Sequence, residues 1–419
     1  MTDSAPVVTP APHDPYVSLR HREFRWYIVS LFAMTLGAQM QAVVVGWQVY
    51  SITHDPLALG LIGLAEVLPF IAVALPAGYL ADRLNRRTVA VAGLSVLALC
   101  AAALLALTAA PGFLARTGVF PIYAVIFASG LARSLLQPAR QALSSELVPR
   151  AHLQNAVAWR SSSFQIAAVT GPAMGGLLYG FSGPVAAYSI DVALMLCALT
   201  GMITLRYVPG ERVRSVDSVV TNLLVGLKFV FGQPVILAAM SLDLFSVFLG
   251  GAEALLPVFA NEVLHVGPQG LGILRAAPAA GAVTMGLFLA HRRPFERAGR
   301  SMLLAVCVFA LCIIGFGLST SFWLSLVLLG VSGMADSVSV VIRSTLLQML
   351  TPPDMLGRAS AVNSVFVGSS NELGAFESGV AAKLFGAVPA VVLGGVASLV
   401  VVGLTAKLVP ALRKLERIS

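Results

Sequence analysis

"SGLARSLLQPARQALSSELVPRAHLQNAVAWRS" runs from Ser129 to Ser161, and "SGMADSVSVVIRSTLLQMLTPPDMLGRASAVNS" runs from Ser332 to Ser364. Laid together without a gap, 203 residues apart, they agree at twelve positions, including Gly130/Gly333, Arg140/Arg343, Pro149/Pro352 and Leu153/Leu356. Apolar, low-complexity sequence matches by chance at Ala and Leu. It does not readily match Arg, Pro and Gly in one register. The agreement continues through Gly171/Gly374 and Gly176/Gly379 to Gly183/Gly386. The chain therefore reads as two halves drawn on one pattern.

Composition says what medium those halves occupy. Of 419 residues, 58% are hydrophobic and only 11% charged, with a mean hydropathy of +0.87. A soluble domain carries roughly 25% charged residues, so lipid is the solvent for most of this chain. About 20 apolar residues cross the hydrocarbon layer. Runs of that length are read at roughly 26–51, 57–81, 87–109, 118–144, 155–180, 184–206, 235–261, 269–290, 301–318, 322–349, 356–383 and 388–410. The expected fold is an all-α membrane protein of twelve transmembrane helices in two pseudo-symmetric six-helix bundles.

The expected divisions are a disordered tail over 1–18, a first bundle over 19–206, a linker over 207–234, a second bundle over 235–410 and a tail over 411–419. Within the linker, Ser218 to Phe231 reads as an amphipathic helix on the membrane surface. With the N-terminus inside, 20 Lys and Arg fall on the cytoplasmic side, two (Arg116 and Lys383) outside, and five within spans. Basic residues favour cytoplasmic loops, so both termini are expected in the cytoplasm. The same bias accounts for the net charge of +8 without nucleic acid.

Several chemistries lack their motifs. The sequence has no Walker loop, no GxSxG, no HExxH and no pair of histidines at ligand spacing. No enzyme activity, cofactor or metal is expected. The four cysteines sit in apolar runs and read as buried free thiols. Energy would come from an ion or substrate gradient, unless a partner chain hydrolyses ATP.

"GYLADRLNRR" (Gly78–Arg87) joins the second and third spans. Its Gly78, Asp82, Arg83, Arg86 and Arg87 resemble the loop signature of the major facilitator superfamily, with Asn85 where that family usually has glycine. Asparagine also tolerates a left-handed turn. "TGPAMGG" (Thr170–Gly176) resembles the Gly-Pro-x-x-Gly-Gly motif of that superfamily's antiporters and exporters. "LLPVFANEVL", "GILRAAPAAGA" and "QPARQALSSELVPRAHLQNAVA" resemble its enterobactin-exporter and macrolide-efflux branch. The resemblance covers essentially the whole chain after the N-terminal tail. It implies rocker-type alternating access and proton-coupled export from a bacterial cytoplasmic membrane, with a small molecule, protons and membrane lipid as partners. No sign of oligomerisation is read.

Candidate roles follow. Gly78, Asp82, Arg83, Arg86 and Arg87, with Arg358 nearby, are expected to form a conformational latch, Asp82 capping the eleventh span near Gly357. The alternative is a purely local role. Charges inside spans are costly and tend to face a cavity or one another. Arg133, Asp243, Glu253 and Asp336 fall on spans that line the cavity in the implied fold. Arg133 and Asp336 are repeat-equivalent, which suggests an ion pair across the pseudo-twofold axis; the alternative is pairing within each half. One of Glu372 and Glu377 is expected at a proton or cation site, the other near Arg160. Glu66 and Arg275 are near-equivalents read, together with Arg160, as gate residues. Asp191 reads as capping or packing. Gln39 and Trp47 could contact cargo, with Met34 and Met40 giving an adaptable lining. Gly171, Pro172, Gly175 and Gly176 read as close packing, or as a leak-proof bend that favours export.

The leading expectation is a proton-coupled exporter of an amphipathic small molecule such as a drug or siderophore. Lipid flipping and nutrient uptake are the alternatives.

Overall fold

The computed structural model describes residues 14–83, 85–207, 219–292, 295–353, 355–413 and 415. The first four spans are Arg22–Thr53, Pro56–Arg83, Arg86–Ala109 and Phe120–Glu146. The fifth and sixth are two helices within Leu153–Thr204 that meet at a sharp break at Gly183. Gly183 has φ 79°, a conformation that costs glycine little and other residues much. The eighth to twelfth spans are Gly267–Ala290, Ala298–Leu318, Phe322–Leu350, Leu356–Phe385 and Ala387–Leu408.

The seventh span departs from the continuous helix expected over 235–261. It runs as Pro234–Leu249, stops at Gly250 and Gly251, and resumes through a 3-10 turn (Ala252–Leu255) and a π turn (Phe259–Val263). Two successive glycines are poor helix formers. Among the described residues, nine helical stretches are long and apolar enough to cross a membrane. The eleventh span is not one of them; it carries Arg358, Glu372, Glu377 and Lys383.

The chain thus has a terminal end, where the first span begins, and a far end, where the first span meets the second. Apolar packing differs between these ends. One buried cluster joins both halves: Val43, Tyr50 and Leu59 of the first two spans pack with Leu255, Phe259 and Leu271 of the seventh and eighth. This seam lies at the far end. At the terminal end the clusters stay within one half, around Phe24, Leu136 and Met202 in the first and around Met302, Ile342 and Leu412 in the second.

Residues 14–18 are not a loose tail. The Pro15 carbonyl accepts hydrogen bonds from Asn155 Nδ2 (2.8 Å) and Trp159 Nε1 (3.0 Å), and Ser18 is fully buried. These polar partners on the fifth span tie the segment down. A helix forms in the linker at Val219–Gly232. It also docks on the second half, where Val230 is buried with Met240, Leu347 and Val362. Asn85 is extended rather than left-handed, at φ −65° and ψ 120°. It caps the third span, its side chain accepting from the Arg87 N–H at 3.0 Å. All four cysteines are free thiols, and Cys197 is exposed rather than buried.

Candidate functional site

Between the halves lies a cavity of about 390 Å³, within the range of small-molecule sites. The first half supplies Gln39 and Gln41 from the first span, Glu66 from the second, and Arg133, Gln137 and Arg140 from the fourth. The second half supplies Arg275 from the eighth span and Glu372 from the eleventh. Met34 and Phe164 add apolar wall. Two acids and three arginines from both halves therefore share one chamber.

The far end of this chamber is shut by two close helix crossings. A Cβ on Gly379 of the eleventh span would meet the Gly60 Cα of the second span at 2.7 Å. A Cβ on Gly176 of the fifth span would meet the Gly272 Cα of the eighth span at 2.6 Å. Only glycine lets backbones approach so closely. Two polar contacts lie beyond these crossings: Tyr50 donates to Glu262, and Lys383 Nζ is 2.7 Å from Asp55 Oδ2. Partial burial pushes the Asp55 carboxyl up, but hydrogen bonds from Lys383 and the Leu57 N–H, with the Lys383 charge, outweigh it and hold it below its ordinary value. Toward the terminal end the chamber wall extends to Arg140, and Gln137 is exposed.

Inside the chamber Arg133 forms an ion pair with Glu66, both partly exposed. This is pairing within one half. Arg133 and Asp336 are not joined here: Asp336 is half-buried outside the chamber wall, with Glu253 as its acidic neighbour. The spans turn these equivalent positions in different directions. Glu253 itself is exposed in the break of the seventh span. Glu372 feels Glu66, Arg133, Arg275 and Glu253. Among the described residues, neither Glu372 nor Arg275 makes an ion pair.

Other expected residues lie elsewhere. Asp243 forms an ion pair with Arg343, and each side chain is 7% exposed. It belongs to the scaffold of the second half, because an acid beside a buried guanidinium is held by it. Glu377 lies in an outer groove with Phe248 and Phe376, not in the chamber. Arg160 donates to Ser144 Oγ at 3.1 Å, within the first half and apart from both glutamates. Trp47 packs into the far-end seam, and Met40 is fully buried. Asp191 is buried against Gly37 with neither carboxylate oxygen hydrogen-bonded.

Of the latch residues, Gly78, Asp82 and Arg83 fall where side chains lie outside the described residues. Arg86 pairs with Glu146 of the fourth span, and Arg87 donates to the Ile203 carbonyl of the sixth. Both contacts are local to the first half. The Arg358 backbone packs against Gly226 of the linker helix, and among the described residues nothing comes within 4 Å of a Cβ placed on Gly357. In the exporter-like motif, Gly171 and Gly175 face the first span at Gln39 and Met40, while Gly176 faces the eighth. Pro172 sits within the continuous helix of the fifth span, and the backbone leaves helical geometry only later, at Gly183 between the fifth and sixth spans. Arg140, whose repeat equivalence to Arg343 suggests scaffolding more than substrate contact, lines the chamber wall; two features have no signal in the sequence, Gln137 as chamber wall and Gly176 as a contact between halves.

The comparisons agree with this architecture. The transmembrane secretion effector family model matches residues 13–418. The chain is 29% identical over 352 residues to the enterobactin exporter EntS of Shigella dysenteriae serotype 1 (strain Sd197), covering 82% of this chain and 81% of that one. The same identity and coverage hold for EntS of Escherichia coli O1:K1 / APEC. Among solved structures, the nucleoside transporter NupG aligns at a TM-score of 0.71 and 15% identity, covering 92% of this chain and 99% of that one. A bacterial homologue of the human lysosomal transporter Spinster, in an inward-facing unoccupied conformation, aligns at 0.67 and 16%, covering 94% and 96%.

Proposed function

The chain belongs to the transmembrane secretion effector family of major facilitator transporters, and on that premise we propose that it exports an amphipathic small molecule by alternating access in exchange for protons. The observation that carries this reading is the chamber, charged from both halves and bounded at the far end by the two glycine crossings. With the termini in the cytoplasm, as the basic loops suggest, the chamber faces the cytoplasm and is ready to receive cargo.

Glu372 is the proposed proton carrier. It lines the chamber, lacks an ion-pair partner among the described residues, and lies in the field of Arg133 and Arg275. A proton leaving Glu372 into the cytoplasm leaves a carboxylate that attracts Arg275 or a cationic group of the cargo. Cargo that satisfies these charges draws the halves together at the terminal end. Rocking then separates the far-end crossings and opens the chamber outward, where Glu372 takes up a proton and the cargo leaves. Glutamines 39, 41 and 137 beside Met34 and Phe164 suit a molecule with polar groups on an apolar body. Because relatives are named as enterobactin exporters, a siderophore is the first cargo to try.

Everted membrane vesicles provide the test. With the lumen acidified, vesicles holding the protein are expected to accumulate enterobactin or ethidium, and a protonophore is expected to abolish this. Glu372→Gln is expected to abolish accumulation while leaving downhill exchange. Accumulation indifferent to the proton gradient would overturn the antiport reading. Movement of labelled lysophospholipid alone would favour lipid flipping.

A further inference from the structure

The eleventh span carries an acid on its outer side. Glu372 and Ala375 meet Gly63 of the second span, and Gly379 meets Gly60. On another face, Gly374 meets Phe248 and Ser378 meets Gly251 of the seventh span. Leu373, Glu377, Val380 and Leu384 recur at spacings of four, three and four residues, so they share a remaining face. With Phe248 and Phe376 they bound a groove of about 560 Å³ in which, among the described residues, Glu377 is the one charged group. Leu384 is 70% exposed, as expected of a side chain bathed in lipid. Glu377 makes no ion pair among the described residues.

An acid facing hydrocarbon is a costly placement, since intramembrane charges ordinarily face a bundle interior or a water-filled cavity. We propose that this groove is a second binding site, which takes a hydrophobic amine directly from the bilayer. Its ammonium group bonds to the Glu377 carboxylate, and its apolar body lies along Phe248, Leu373, Phe376 and Val380. Charge complementarity selects the amine. Depth selects a membrane-dissolved amine over a lipid headgroup: Glu377 precedes the helix end at Phe385 by eight residues, about 12 Å along the axis. The groove volume fits a drug-sized molecule. The site stands independently of the proposed export cycle.

Photolabelling of the full chain in phosphatidylglycerol and phosphatidylcholine nanodiscs tests this, with no gradient present. The probes are a diazirine-bearing dodecylamine and the matching dodecanol, mapped by mass spectrometry. The amine is expected to label residues 373–385 about tenfold more than the alcohol. Glu377→Gln is expected to remove that preference, and Glu377→Asp to keep most of it. Equal labelling by the two probes in the unmodified protein would overturn the proposal, and so would an unchanged preference in Glu377→Gln. Loss of amine labelling when phosphatidylethanolamine replaces phosphatidylcholine would also overturn it, by making a lipid amine the occupant. The amine-against-alcohol comparison needs no variant, so a misfolded substitution cannot hide the answer.

Discussion

The two halves follow one repeat yet spend their charges differently. In the first half Glu66 and Arg133 pair across the second and fourth spans, at the wall of the chamber. Their counterparts in the second half, Arg275 and Asp336, have the signs exchanged and form no ion pair among the described residues. About two turns nearer the terminal end the order reverses. There Arg343 is buried with Asp243. Among the described residues its counterpart Arg140 has the Met34 sulfur at 3.7 Å as its one side-chain partner, and its carbonyl accepts the Tyr27 hydroxyl at 3.1 Å. The second half has placed a pair in its scaffold, whereas the first has left one where cargo can reach it. Repeat equivalence of position is therefore no guide to equivalence of role.

The sharpest way to break this contrast is to cut each pair in turn. Asp243→Asn leaves a buried guanidinium uncompensated, and the expected loss is about 3–5 kcal/mol of stability. Thermal unfolding in detergent would register it. The double variant Asp243→Leu/Arg343→Met should recover much of that loss, because no charge remains buried. Cutting the first-half pair should do the opposite. Glu66→Gln is expected to change stability by about 1 kcal/mol or less while lowering vesicle transport about tenfold. Exchanging the two residues, as Glu66→Arg/Arg133→Glu, should return part of the transport.

A smaller effect is expected at the crossings. Gly379→Val puts side-chain atoms where the Gly60 backbone lies, at a cost of about 1–3 kcal/mol to the closed far end. Cysteine-accessibility labelling beside the chamber from the far side should rise. The least effect is expected from Asp55→Asn, since the exposed pair with Lys383 is worth about 0–1 kcal/mol. The Asp55 carboxyl sits below its ordinary value, so its contribution is complete above the usual carboxylate range. It is lost only as the pH falls below about 4. Far-side accessibility should therefore not respond to Asp55 between about pH 5 and 8.

Much of this was legible in the residues. Span positions followed from apolar run length, and the repeat placed Gly176 and Gly379 at matching points before their contacts were known. Gln39, Glu66, Arg133, Arg275 and Glu372 were all singled out, and all line the chamber. What failed was rotation. The seventh span is apolar on nearly every side and the eleventh carries polar residues on several, so in neither does periodicity say which side faces inward. Span membership assigns Asp243 to the chamber, and the repeat leaves open whether Glu372 or Glu377 faces it; Asp243 instead pairs with Arg343, and Glu377 lies in the outer groove. Gly250 and Gly251 broke a span that hydrophobicity left whole, which moved Glu253 off the helical face assumed for it. The burial of Asp191 against Gly37 has no local signature, because it depends on how closely the first and sixth spans meet.

The paired glycines have one more consequence. Gly60 with Gly379, and Gly176 with Gly272, are two points where backbone rests on backbone with nothing flexible between. A contact of this kind has no side chain that can bend, so it is either seated or parted. Each crossing takes one helix from each half, so neither can part unless one half moves against the other. The far end is thus sealed by fitted backbones rather than by a flexible plug.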